Sequence, residues 1–183
     1  MPPAPPDGDR RTDPELIEAM NSGDVRAFEA LYDRHAPWAA RVARRFARDE
    51  ASANDAVQEA FMELLRRFPG FVLTSRLTTF LYPVVKHAAL AQQRKHGREA
   101  SEPIPERATT DEARDVEPGG LERALGALSD EQREVLLMHV VDGLTLAEVG
   151  VALGVPLGTV KSRLHAALTR LRADERTKRH FEE

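Results

Sequence analysis

The chain has 183 residues, a length that fits one ordinary domain or two small ones. Hydrophobic residues make up 42% and charged residues 31%, so a core can be buried in a chain that stays soluble; an aromatic content of 5% disfavours an aromatic-rich β sandwich. With no cysteine, disulfides, iron–sulfur clusters and thiolate zinc sites are excluded, and the net charge of −4 does not by itself announce nucleic-acid binding.

Residues 1–13 are rich in proline and charge and are expected to form a disordered tail. Asp13 and Pro14 read as a cap and a first-turn proline. Asp24, after Gly23, can cap a helix with Phe28, Leu31 and Tyr32 on one face, continued by Trp38, Val42 and Phe46 at a spacing of four. Ser52 is the expected cap of the next helix, whose inward stripe is Val57, Ala60, Phe61, Leu64, Leu65 and Phe68. Pro69-Gly70 ends it, and a last helix is expected from about Arg76 to His96, with Pro83 near its early turns. These helices make a first domain, 14–96.

Residues 97–119 hold three prolines and many acids but few large apolar groups, so they read as a linker. From Gly97 to Gly120 seven acids face three arginines, a net of −4, which leaves the rest of the chain neutral in sum. Charge is therefore segregated. Leu157 to His180 carries a net of +5, and Val84 to Arg98 holds Lys86, Arg94, Lys95 and Arg98 with no acid.

The second domain, 120–183, is sharply punctuated. Ser129 to Gln132 and Thr145 to Glu148 both have capping-box form, Gly143 and Gly154 sit where helices end, and Pro156 opens a further helix. Helix, tight glycine turn, helix is the outline of a helix-turn-helix. On a helical wheel from Pro156, Val160, Leu164, Ala167, Leu168 and Leu171 gather on one face. Opposite lie Ser162, His165, Ala166 and Thr169, with Thr159 before them and a basic rim of Lys161 and Arg172 on one side, Arg163 and Arg170 on the other. A polar strip between cations suits a helix in the major groove, where phosphates flank the base edges on both sides. The expected fold is all-α, in two small helical domains joined by a flexible acidic linker.

A resemblance adds function. The stretch from Leu144 to His165, LTLAEVGVALGVPLGTVKSRLH, resembles the region-four helix-turn-helix of extracytoplasmic-function (ECF) bacterial sigma factors, and Leu128 to Leu136, LSDEQREVL, is similar to the helix before it. Gly23 to His35, GDVRAFEALYDRH, and Asp55 to Phe61, DAVQEAF, look like sigma region two. The resemblance implies a transcription initiation factor that binds core RNA polymerase through its β′ clamp helices and β flap, recognises minus-35 duplex with its second domain and opens the minus-ten element with its first. By match, Asp55, Gln58, Glu59 and Met62 form the polymerase-docking face. The segment from Phe68 to Lys95 matches the part that captures melted DNA, so Phe71, Phe80, Lys86, His87, Arg94 and Lys95 are its candidate contacts, with Tyr82 a further candidate for packing near bases.

The chain departs from the family pattern in places. Phe80-Leu81-Tyr82 stands where Trp-Leu-Tyr is frequent, His87 at a frequent Asn and Ala91 at a frequent Asp. At the start of the docking helix, Ser52-Ala53-Asn54-Asp55 replaces an acidic Asp-Ala-Glu-Asp, which removes two charges worth about 0–1 kcal/mol each against a basic clamp. Phosphorylation of Ser52 by a Ser/Thr kinase would restore about −2 there; the alternative is a plain cap. Control by an anti-sigma factor is the other expectation. A helix-turn-helix regulator acting on duplex DNA alone, and a sigma-like decoy that titrates an anti-sigma factor, are the competing readings. Six histidines show no metal-ligand spacing, and neither a phosphate-cradling loop nor a nucleophile elbow is present, so no cofactor and no enzymatic activity are expected. No apolar run reaches the roughly 20 residues of a membrane span, and the N-terminus lacks a signal-peptide stretch, so the expected location is the cytoplasm, without membrane insertion.

Overall fold

A computed structural model describes residues 9–99 and 120–173; most of the acidic linker lies outside the described residues. The chain divides into two compact units, residues 1–102 and 103–183, and the described residues of both are helical, without strands. The first unit contains α1 (Asp13–Asn21), α2 (Val25–Arg44), α3 (Glu50–Leu65) and α4 (Leu77–Glu99); the second contains α5 (Gly120–Gly126), α6 (Asp130–Val140), α7 (Leu146–Leu153) and α8 (Leu157–Ala173).

Caps decide where these helices begin. Thr12, not Asp13, caps α1: its backbone N–H donates to Glu15 Oε2 at 2.6 Å, closing a capping box that puts Pro14 at the second helical position. Asp13 is thereby released for tertiary work. It accepts from Arg34 at 2.7 Å and lies 2.8 Å from His35 Nε2, while the other arm of Arg34 donates to the carbonyls of Asp9 and Arg11, each at 2.8 Å. Residues 9–12, assigned by composition to a disordered tail, are instead strapped onto α2. Burial raises the Asp13 pKa, but hydrogen bonds and charge from His35 and Arg34 outweigh it and leave the carboxyl below its ordinary value.

The start of α3 also differs from expectation. Asp49 is its cap, accepting from Ser52 N at 2.8 Å, so Ser52 sits one turn inside the helix and is 5% exposed. Asp and Ser are both good caps, and only the backbone chooses between sites three residues apart. Across the preceding turn, Arg44 grips Glu50 with two bonds of 2.8 and 2.7 Å and links the end of α2 to the start of α3.

The inner face of α3 is small: Ala53, Ala56 and Ala60 are fully buried beside Val57, Phe61 and Leu64, which lets α3 lie close against α2 and α4. Phe61 receives Tyr32 edge-on at 4.8 Å and Phe28 at 6.3 Å. Leu65, expected inward, is 39% exposed, because the helix turns it away from the stripe that Phe61 and Leu64 fill. Leu77, Leu81, Tyr82, Val85 and Ala89 supply the buried side of α4.

In the second unit, Leu128, Leu136 and Ala167 form a core onto which Leu125, Leu164, Leu168 and Leu171 pack. Arg133 staples the end of α5 to α6 by donating to the carbonyls of Leu125 (2.8 Å) and Leu128 (3.1 Å). Both expected capping boxes are present, at Ser129/Gln132 and Thr145/Glu148. Gly154 ends α7 in the left-handed region at φ +66°, where other residues are strained. At Gly150 the reason for glycine is space: a Cβ there would stand 3.0 Å from the carbonyl oxygen of Val155.

Candidate nucleic-acid interface

In the helix-turn-helix, α8 turns its apolar stripe inward and its polar strip outward. Val160 and Ala167 are fully buried on the inner face of α8, whereas Lys161, Ser162, His165, Thr169, Arg170 and Arg172 are exposed, and Thr159, Arg163 and Ala166 are partly exposed. Ser162 donates its hydroxyl hydrogen back to the Thr159 carbonyl at 3.0 Å, which leaves its oxygen free to accept from outside. The outer face of α8 thus combines short polar groups with a cationic rim, the chemistry of a helix that approaches base edges between two phosphate backbones.

On α3, Asp55, Gln58, Glu59 and Met62 are all exposed, with Met62 at 48%. Their spacing of three and four gathers them on one side, away from Phe61. Leu65 adds apolar area to that side. Glu59 is not a bare charge: Arg66 donates to it at 3.0 Å and reaches Glu63 at 3.2 Å, while Arg67 reaches Glu63 at 3.5 Å. Glu59 and Glu63 hold the Arg66 guanidinium above its ordinary pKa. Ser52, by contrast, is turned inward, and a kinase needs the hydroxyl in solvent. The folded helix withholds it.

The minus-ten candidates fall along α4 and the loop that leads into it. Phe80, His87 and Arg94 recur at a spacing of seven and therefore trace one stripe; Phe80 is half-buried, His87 and Arg94 exposed. Lys86 is half-buried, with its ammonium 5.3 Å from the Phe46 ring centroid, so its stem belongs partly to packing. Lys95 lies in α4, and its side chain is outside the described residues. Tyr82 is fully buried, stacked edge-on at 6.4 Å with Phe46, which makes it core and removes it from the base-packing candidates.

Phe71 and Phe80 meet at 5.1 Å between ring centroids, and Phe71 meets Phe68 at 5.5 Å. Arg67 lies over the Phe80 ring at 5.5 Å. The three rings and the guanidinium form a partly open aromatic and cationic surface, of the kind on which unpaired bases stack. Arg67 and Phe68 escaped the sequence reading as site residues. The run Arg66-Arg67-Phe68 ahead of Phe71 was the available signal, two cations beside spaced rings.

Among the described residues no group of His, Asp and Glu could hold a metal ion, and no helix is long and apolar enough to cross a membrane.

Residues 31–99 match the family model for sigma-70 region 2, and residues 119–171 that for sigma-70 region 4. The ECF RNA polymerase sigma factor SigM of Mycobacterium tuberculosis (strain H37Rv) is 33% identical over 163 residues, spanning 88% of this chain and 83% of its own length. Among solved structures, the fold is similar to CnrH in its complex with the cytosolic domain of CnrY, with a TM-score of 0.64 at 23% identity over 88% of this chain and 95% of that one. It is also similar to the sigma factor RpoE bound to the anti-sigma factor NepR from Bartonella quintana, with a TM-score of 0.59 at 24% identity over 82% of this chain and all of that one. Two separately matched regions in the right order, carried by two helical units, and a relative 33% identical over most of both chains place the chain in the ECF family of RNA polymerase sigma factors, transcription initiation factors that direct polymerase to promoters.

Proposed function

We propose that the first unit docks on core RNA polymerase through the α3 face of Asp55, Gln58, Glu59 and Met62, captures the melted minus-ten strand along Phe71, Phe80, His87 and Arg94, and leaves minus-35 duplex to α8. Thr159, Lys161, Ser162, Arg163, His165, Ala166, Thr169 and Arg170 are the groups of α8 that reach that duplex. Polymerase performs the chemistry; this chain supplies recognition. The single observation that carries this reading is the pairing of two different surfaces in one chain. One is a helix whose outer face is polar with a cationic rim; the other is a cluster of three mutually tilted rings, with Arg67 over Phe80, beside a cationic helix. The first suits duplex and the second suits unpaired strands. A regulator that binds only duplex has no use for the second surface, and a decoy has no use for the first.

The docking face is short of acids, since Ser52 and Asn54 stand where the family often has carboxylates, and Glu59 is already shared with Arg66. Docking therefore leans on Met62 and Leu65, which are 48% and 39% exposed. Burial of Ser52 favours a binding protein over a kinase as the source of control at this helix.

Co-elution of the full chain with purified core polymerase is the direct test. Wild type is expected to co-elute, and Met62→Glu to weaken binding by about tenfold, as burying an unpaired charge in an interface does. Equal retention of both proteins would exclude α3 as the docking face.

A further inference from the structure

The loop between α3 and α4 carries Phe68, Phe71 and the exposed Val72, yet its own sequence offers little to hold it in one shape. Backbone donors must find acceptors, and those of Arg67 and Phe68 still bond back to the carbonyls of Leu64 and Leu65 at 3.0 and 3.1 Å. Beyond Pro69 that source ends. The next two N–H groups, of Gly70 and Phe71, both donate to one atom, Asn21 Oδ1, at 2.7 and 3.1 Å. The same side chain returns a bond, Nδ2 donating to the Phe71 carbonyl at 2.8 Å. Gly70, at φ +102°, gives the backbone the turn that aims successive N–H groups at a single oxygen.

Asn21 is the last residue of α1, 49 and 50 residues before the groups it binds. Its amide is directional: one oxygen accepts twice and one nitrogen donates once, so the Phe71 peptide is fixed in orientation as well as position. From Phe71 the constraint passes through ring contacts of 5.1 Å to Phe80 and 5.5 Å to Phe68, and Arg67 closes over Phe80. Val72 follows at 73% exposure, at the side of the loop open to solvent.

We propose that Asn21 is a positioning residue for minus-ten base selection: from the end of α1 it fixes the 69–72 backbone, and with it the Phe71–Phe80–Arg67 surface that sorts unpaired bases. The proposal rests on the minus-ten role given above and deepens it. Asn21 touches no DNA. It acts by holding Phe71 where a base of one shape stacks better than the others, since a loop free to move would accommodate any base.

The test uses holoenzyme made from the full chain and core polymerase, on a promoter recovered with wild-type holoenzyme from a random library. Run-off transcription is measured on single-base substitutions across its minus-ten and minus-35 elements. With Asn21→Ala, the ratio of best to worst base at one minus-ten position should fall about tenfold, within the range that one base contributes to such recognition. The ranking of minus-35 variants and co-elution with polymerase should stay as in wild type. Asn21→Asp keeps the double acceptor and the size but sets a second carboxylate oxygen against the Phe71 carbonyl, and should fall between the two; it decides the matter if Asn21→Ala does not fold. A uniform loss on every promoter, or a best-to-worst ratio unchanged at every minus-ten position, would show a merely structural staple and overturn the proposal. Wild-type holoenzyme that initiates nowhere would instead defeat the functional reading beneath it.

Discussion

At the scale of single residues, the clasp around Asp13 and the inward turn of Ser52 carry the sharpest consequences. Asp13 is ionised in the fold below its usual pKa, so it contributes stability that is complete above the unfolded value near 4 and is lost as pH falls through the lower folded value. Asp9, hydrogen-bonded by Arg11, is lowered to about 2 and follows the same sign. Asp13→Asn should therefore cost about 2 kcal/mol at neutral pH, by leaving Arg34 underpaired, and the gap between wild-type and variant melting temperatures should close as pH is taken from 4 towards 2. A constant gap across that range would rule out the carboxylate as its source. For Ser52, a carboxylate or phosphate has no room on a face 5% exposed. Ser52→Glu should lower stability by about 2 kcal/mol or more and should not tighten polymerase binding; tighter binding with an unchanged melting temperature would reinstate a phosphorylation switch there.

At the scale of elements, the helix-turn-helix depends on how closely α7 approaches the turn that follows it. Gly150→Ala places a methyl 3.0 Å from the Val155 carbonyl oxygen and should destabilise the second unit by about 1–2 kcal/mol, with a matching loss of minus-35 affinity. Gly158→Ala, whose methyl would meet nothing within 4 Å, is the control and should leave stability unchanged or raise it by up to about 1 kcal/mol. Thermal melts of the two variants separate a packing requirement from a general intolerance of side chains. On α8, removing Lys161 and Arg170 together should flatten the salt dependence of holoenzyme binding to minus-35 duplex by about two in the log–log slope. An unchanged slope would place those cations away from phosphate.

At the scale of the molecule, what could be read in the sequence was what is written locally. Capping boxes at Ser129 and Thr145, the glycine after Leu153 and the apolar stripe of α8 are relations across three to seven residues, and the structure keeps them. Errors arose where two residues compete for one role, as Asp49 and Ser52 do for the α3 cap, and where a fold-level partner decides burial, as at Leu65 and Tyr82. The clasp of residues 9–12 and the Asn21 bridge were out of reach for a different reason: each joins groups more than 20 residues apart through polar atoms that carry no periodic signal. The surface proposed for the minus-ten strand was accordingly half legible, its rings and cations visible in the sequence and their assembly not.

The polymerase and promoter predictions all require that the chain give core polymerase a choice of start site. In vitro run-off transcription with purified core polymerase and a promoter library tests it most directly. The chain should produce discrete transcripts that core polymerase alone does not, from promoters sharing a minus-35 and a minus-ten element, with thymines in the minus-ten element made reactive to permanganate. Transcripts indistinguishable from those of core polymerase alone would contradict it.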